Sequence, residues 1–152
     1  MKLVMPETFL AFDFGTKYIG IAVGQAITQT ATPLITLKAR QGIPQWDQVQ
    51  KIITEWEPHG LVVGLALQPD GSDSATSLKA RQFGDSLRKR FKLPVHFVEE
   101  RLTSVAASHI LKQQHHYSKD TDSDAMAAAI ILESFLNRTK EFSLHATPQS
   151  TV

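Results

Sequence analysis

The chain has 152 residues, enough for one domain with a hydrophobic core and too few for two well-filled ones. It contains no cysteine, which excludes a disulfide framework and a thiolate zinc site and suits a reducing cytosol. With a net charge of +1, bulk charge does not announce a nucleic-acid partner, so any such partner has to be read from local features.

The first seven residues, Met1 to Glu7, lack a long apolar stretch, and no signal peptide is expected. Thr8 to Phe14 is short, apolar and aromatic and reads as a buried strand that carries a carboxylate, Asp13, near its end. Gly15-Thr16-Lys17 is a turn, and Tyr18 to Gly24 reads as the second strand of a hairpin. Thr30 to Leu37 makes a third strand, which Pro33 confines to an edge or a late start. Pro44 to Glu57 has helical spacing, with Trp46, Val49, Ile52, Ile53 and Trp56 on one face, read as core packing. Leu61 to Leu65 is a continuous apolar run of the kind that fills a central parallel strand. Gln68-Pro69-Asp70-Gly71 has turn chemistry, and Ser72 to Phe91 reads as a long helix. Pro94 to Val98 is a short strand that runs into Glu99-Glu100-Arg101. Thr103 or Ser104 can cap a helix carrying Val105, Ala106, His109 and Ile110; a polar loop follows through His115, His116 and Lys119. Asp122 to Asn137 is the last helix, with Asp124 in its first turn. Residues 1–138 are thus one domain, and the polar, aperiodic residues 139–152 read as a mobile tail. A hairpin-led group of strands followed by alternating helix and strand gives an α/β fold with a mixed sheet.

Three acids stand at the ends of elements. Asp13 closes the first strand, Glu100 follows the strand ending at Val98, and Asp124 opens the last helix. Ligands gather beyond strand ends in open α/β sheets, and a helix packed across that edge would deliver Asp124. Clustered carboxylates repel unless a cation joins them, and hard oxygen donors favour magnesium or manganese. An acid at a strand end is also a common turn former or helix cap, so position alone leaves both readings open.

Four ordered blocks carry a resemblance. Asp13-Phe14-Gly15-Thr16-Lys17 with Ile19-Gly20-Ile21-Ala22-Val23, then Gly64-Leu65-Ala66-Leu67 with Asp70-Gly71, then Glu99-Glu100-Arg101-Leu102-Thr103-Ser104, then Asp124 to Leu132, resemble the signature of the YqgF family of the RNase H-like superfamily. The resemblance runs from about Phe9 to Leu136 and departs from the family pattern at Ala66, Gln68, Glu99 and Ala106. It implies an RNase H-like fold with a five-stranded mixed sheet flanked by helices. It further implies an acidic catalytic and metal-binding triad at Asp13, Glu100 and Asp124, served by Mg2+ or Mn2+. The family is described as a nuclease that processes the 5′ end of precursor 16S ribosomal RNA in the cytoplasm, and an older proposal made it a Holliday junction resolvase. Structured RNA or branched DNA is the implied partner, and no membrane. The distance from Asp124 to Ile131-Leu132-Glu133-Ser134 matches the family block, which leaves Asp122 as a helix cap.

Around the triad, Lys17 and Gly15 sit in the turn after Asp13 and Arg101 follows Glu100, all candidates for substrate phosphate or, equally, for solvated turn and surface positions. Lys79, Arg81, Arg88, Lys89, Arg90 and Lys92 make a basic stripe against the single acid Asp85. Lys79 and Arg81 are its candidates for a nucleic-acid backbone; a solvated helix face is the plain alternative. His109, His115 and His116 read as surface residues, since no cysteine completes a zinc set. Gly20, Gly24 and Gly64 mark tight turns or close backbone approach. Two other functions remain open from the residues: a non-catalytic RNA-binding assembly module, and an ATPase, because Asp13-Phe14-Gly15-Thr16 also resembles the first phosphate loop of the actin and sugar-kinase ATPases. Those ATPases use two such domains, and this chain has room for one.

Overall fold

The computed structural model describes residues 7–100 and 123–146. The order is β1 (Thr8–Asp13), β2 (Tyr18–Gln25), β3 (Thr30–Arg40), β4 (Ile43–Pro44), α1 (Trp46–Trp56), β5 (Gly60–Leu65), α2 (Ala75–Phe91), β6 (Val95–Glu99) and α3 (Ser123–Ala146). The strands form one mixed sheet in the order β4-β3-β2-β1-β5-β6. The first four strands pair antiparallel, while β1, β5 and β6 run parallel. The sheet has six strands where five were expected; the sixth is the two-residue β4, which Pro44 ends before α1 begins.

Strand periodicity sorts the core into two layers. Leu10, Phe12, Ile19, Ile21, Leu61 and Val63 face one way and bury against Val49 of α1 and Phe83 and Leu87 of α2. Ala11, Ala22, Val62 and Val98 face the other way, against Ala128, Ala129, Ile131 and Leu132 of α3. The first layer is built from large side chains and the second from small ones, so α3 lies close on the sheet. Pro33 sits in β3 beside a register shift opposite Ile21 and Ala22. β4 pairs only with Ala39 and Arg40, so β3 is an edge strand at Pro33, where a residue without an N–H is tolerated.

Helix α2 starts at a capping box. The Ser74 hydroxyl accepts from the Ser77 N–H at 2.9 Å, and the Ser77 hydroxyl accepts from the Ser74 N–H at 2.8 Å. The Ser74 hydroxyl also donates to the Ala66 carbonyl at 2.6 Å, fastening the loop after β5 to the helix. This cap places the start of α2 at Ala75, later than the Ser72 of the sequence reading. At the other end of the chain, α3 continues past the expected Asn137 to Ala146. The expected helix after Thr103 or Ser104, the loop histidines, Asp122 and Arg101 lie outside the described residues.

Candidate active site

The parallel strands β1, β5 and β6 all point their C-terminal ends to the same edge of the sheet, which brings Asp13 and Glu100 together. Register does the positioning. Phe12 pairs with Val63, and Leu65 pairs with Glu99, so the residue after each pair extends beyond the same edge. Asp13 shares its face with Ala11, the face covered by α3. The Asp13 and Glu100 carboxyl groups share a side-chain hydrogen bond, which requires a proton on one of them.

Two glycines bring α3 and Glu100 in. Gly20 is the partner of Asp13 across the β1–β2 ladder, and a Cβ on Gly20 would fall on the Asp124 carbonyl oxygen. Only a residue without a side chain lets the first turn of α3 rest on β2 at that point. A Cβ on Gly64 would lie 2.5 Å from Ile131 Cδ1 and 3.2 Å from Glu100 Cγ. Gly64 therefore keeps the space in which Glu100 leans toward Asp13. The alternation Ile19-Gly20-Ile21-Ala22-Val23-Gly24 carried this signal in the sequence: the large residues fill one core layer, and the small ones receive a helix on the other face.

The electrostatic result is a site overloaded with negative charge. Burial raises the Asp13 pKa most, followed by the hydrogen bond with Glu100 and the charges of Glu100 and Asp124; together they lift it from 3.8 to about 8. In the metal-free chain Asp13 thus holds a proton at neutral pH. Asp124 acts on Asp13 through its charge, while Glu100 touches it. Among the described residues no three His, Asp, Glu or Cys side chains converge closely enough to hold a metal as they stand. The donor chemistry nevertheless fits a hard divalent cation: three carboxyl groups, one of which keeps a proton for want of a positive charge.

The neighbouring predicted residues are distributed unevenly. Gly15 and the exposed Lys17 lie in the turn directly after Asp13, and this turn is fastened to the β3–β4 connection, where the Gly42 N–H donates to the Thr16 carbonyl at 2.9 Å. Lys79 is exposed on α2. Arg81 donates from Nε to Asp73 at 2.9 Å and lies over the Phe97 ring. That partner, with Ser77, holds the Asp73 carboxyl below the ordinary carboxylate range. Arg88 is paired with Asp85 at 2.7 Å. Two of the six charges of the basic stripe are thereby paired with acids. Trp46 packs on Phe83 as expected of a core residue, yet its ring also carries the Arg90 guanidinium at 4.2 Å, a contact that helical spacing did not reveal.

A mixed sheet of this order with acids at the ends of β1 and β6 and at the start of a covering helix is the RNase H-like fold. Solved structures support that class. The Thermus thermophilus RuvC in complex with a Holliday junction substrate superposes with a TM-score of 0.61 at 14% identity, covering 88% of this chain and 96% of that one. A yeast mitochondrial Holliday junction resolvase follows at 0.58 and 9% identity, covering 91% and 81%. The family model described as "RuvX: Holliday junction resolvase" matches residues 7–138, and the chain belongs to this family. A Legionella pneumophila protein named "Putative pre-16S rRNA nuclease" is 46% identical over 139 residues, 90% of this chain and 100% of that protein. An Actinobacillus pleuropneumoniae protein of the same name is 48% identical over 133 residues, 86% and 97%. No described helix is long and apolar enough to cross a membrane.

Proposed function

We propose that the chain hydrolyses phosphodiester bonds of nucleic acid with a divalent metal at Asp13, Glu100 and Asp124, and that its substrate is the 5′ end of precursor 16S ribosomal RNA. The observation that carries the site is the geometry: the Asp13 carboxyl, largely buried, is hydrogen-bonded to Glu100 and lies in the field of Asp124 at the edge where three parallel strands end. Carboxyl groups crowded this way are destabilising in a bare protein and useful only when a cation arrives. The substrate rests on the names of relatives that match nearly the whole chain.

Asp13, Glu100 and Asp124 would hold magnesium or manganese, which when bound supplies Lewis acidity for in-line attack of water on phosphorus. The chain's own part is to release the Asp13 proton, to keep the acids fixed through Gly20 and Gly64, and to offer Lys17 and the Gly15 backbone to the substrate phosphate. Arg101, next to Glu100 in sequence, is proposed for the same phosphate. No covalent enzyme intermediate is needed, because water is the nucleophile.

A four-way DNA junction is the second reading, favoured by the family description and by the folds that superpose. Wild type and Asp13→Asn are incubated with precursor 16S RNA and with a four-way junction, with and without manganese. Metal-dependent cleavage of the RNA by wild type alone is expected. Cleavage confined to the junction selects the second reading. Binding without cleavage by wild type makes the chain an assembly module, and equal cleavage by Asp13→Asn removes the triad.

A further inference from the structure

On the sheet face opposite α3, a groove of about 420 Å³ runs between the β3–β4 connection and helix α2. Its volume falls in the range of sites that take a small ligand. Its walls include Phe14, Gln41, Trp46, Lys79, Gln82 and Arg90. We propose that this groove binds an unpaired single-stranded segment of the nucleic acid whose phosphate is presented to Asp13, an inference that rests on the nuclease reading above.

Three observations converge. The first is continuity. Phe14 directly follows Asp13 in the chain and faces the groove, so groove and acids occupy opposite faces of one strand end. The β1–β2 turn lies between them, tied to the groove's rim by the Gly42-to-Thr16 bond. The second is charge. The lining holds Lys79 and Arg90 and no acid. Neither has an ion-pair partner among the described residues, unlike Arg81 with Asp73 and Arg88 with Asp85. The third is shape. Trp46 stacks on Phe83 with rings 17° from parallel, and the Arg90 guanidinium lies 4.2 Å from the centre of the Trp46 ring, so the cation is held against an aromatic pair. An arginine at the groove wall can stack on an unpaired base, and the exposed amides of Gln41 and Gln82 supply hydrogen-bond donors and acceptors for a base edge. Lys79 and Arg90 are eleven residues apart on α2, about 16 Å along the helix, which suits a strand that tracks it. A duplex would leave the amides and the Arg90 guanidinium without unpaired bases to meet.

The test uses the full chain carrying Asp13→Asn, so that bound RNA stays intact. Three fluorescent probes are compared by anisotropy: a blunt RNA hairpin, the same hairpin with a ten-nucleotide single-stranded 5′ extension, and the same hairpin lengthened by ten base pairs. The single-stranded extension is expected to tighten binding at least tenfold over the blunt hairpin, and the duplex extension by much less. Lys79→Ala/Arg90→Ala is expected to bring the extended-to-blunt ratio close to one. It should also reduce the salt dependence by about 1.4 in log–log slope, as for two lost single-strand phosphate contacts. Gln82→Glu places a negative charge in the groove without disturbing the Arg90–Trp46–Phe83 stack and should lower the ratio too. A DNA extension on the same RNA hairpin tells whether the ribose matters. Equal gains from single-stranded and duplex extensions, no gain from either, or a ratio untouched by both variants overturn the proposal. Failure of the nuclease reading shows elsewhere, as absence of cleavage by the wild-type chain with manganese, and leaves this binding ratio readable.

Discussion

Replacing Asp13 by asparagine keeps the shape of the side chain and removes its ability to ionise. In the folded, metal-free chain, burial, Glu100 and Asp124 hold the Asp13 pKa at about 8, against 3.8 for the ordinary group. The unfolded chain therefore ionises Asp13 some four pH units before the folded chain does. Asp13 contributes stability that is whole below pH 3.8, declines as pH rises, and is gone once pH passes about 8. At ~1.4 kcal/mol per unit, the loss has a ceiling of roughly 6 kcal/mol. Water entry and rearrangement of the three carboxyl groups relieve much of that, and a loss of about 2 kcal/mol between pH 5 and 8 is expected. Urea unfolding in the presence of EDTA, repeated across this range for wild type and Asp13→Asn, isolates the effect as the difference between two curves. The margin of the variant over wild type should widen steadily from pH 5 to pH 8, then level off. Manganese should reverse the order, because it stabilises only the chain that can bind it. Two parallel pH curves would falsify the charge balance described for this site.

Other consequences are sharp enough to measure. Metal uptake has to displace the Asp13 proton, so apparent manganese affinity should rise about tenfold per pH unit up to pH 8; titration calorimetry in two buffers of different ionisation heat counts the proton, and a count of zero contradicts the site. Gly20→Ala pushes a methyl group into the Asp124 backbone and should cost roughly 1–3 kcal/mol in urea unfolding, together with a loss of cleavage. Asp124→Asn should reduce cleavage by about 100-fold or more while Asp122→Asn costs far less, and the reverse ranking reassigns the third acid. Ser74→Ala removes both the cap of α2 and the bond to Ala66, with an expected loss of about 1 kcal/mol; an unchanged midpoint would show that the loop after β5 holds without it.

Local pattern was enough for most elements. The short turn after Phe14 gave β2 as the second strand of a hairpin, the unbroken apolar run gave β5, and helical spacing gave α1 and α2, because each depends on residues a few positions apart. Boundaries were less legible. The serine that caps α2 was not separable from Ser72 by type, and the choice of Ser74 follows from its bond to Ala66 across the loop. The two-residue β4 carries almost no signal of its own; it exists because Ala39 and Arg40 offer a partner edge.

The three acids show the same division. Their positions at element ends, and the motif blocks around them, were present in the sequence by itself, and so was the absence of thiolate that turns the chemistry toward hard cations. Their meeting was not, because it depends on strand order and register between segments separated by more than eighty residues, which no local spacing encodes. Only the folded chain lays Gly20 under Asp124 and Gly64 beside Glu100, and only there does burial add to mutual repulsion so that Asp13 keeps its proton to about pH 8. The basic stripe divided in the same way. Sequence counted its charges, but the tertiary structure paired Arg81 and Arg88 with neighbouring acids and set Arg90 on Trp46, because a charge is neutralised or held by what lies next to it in space.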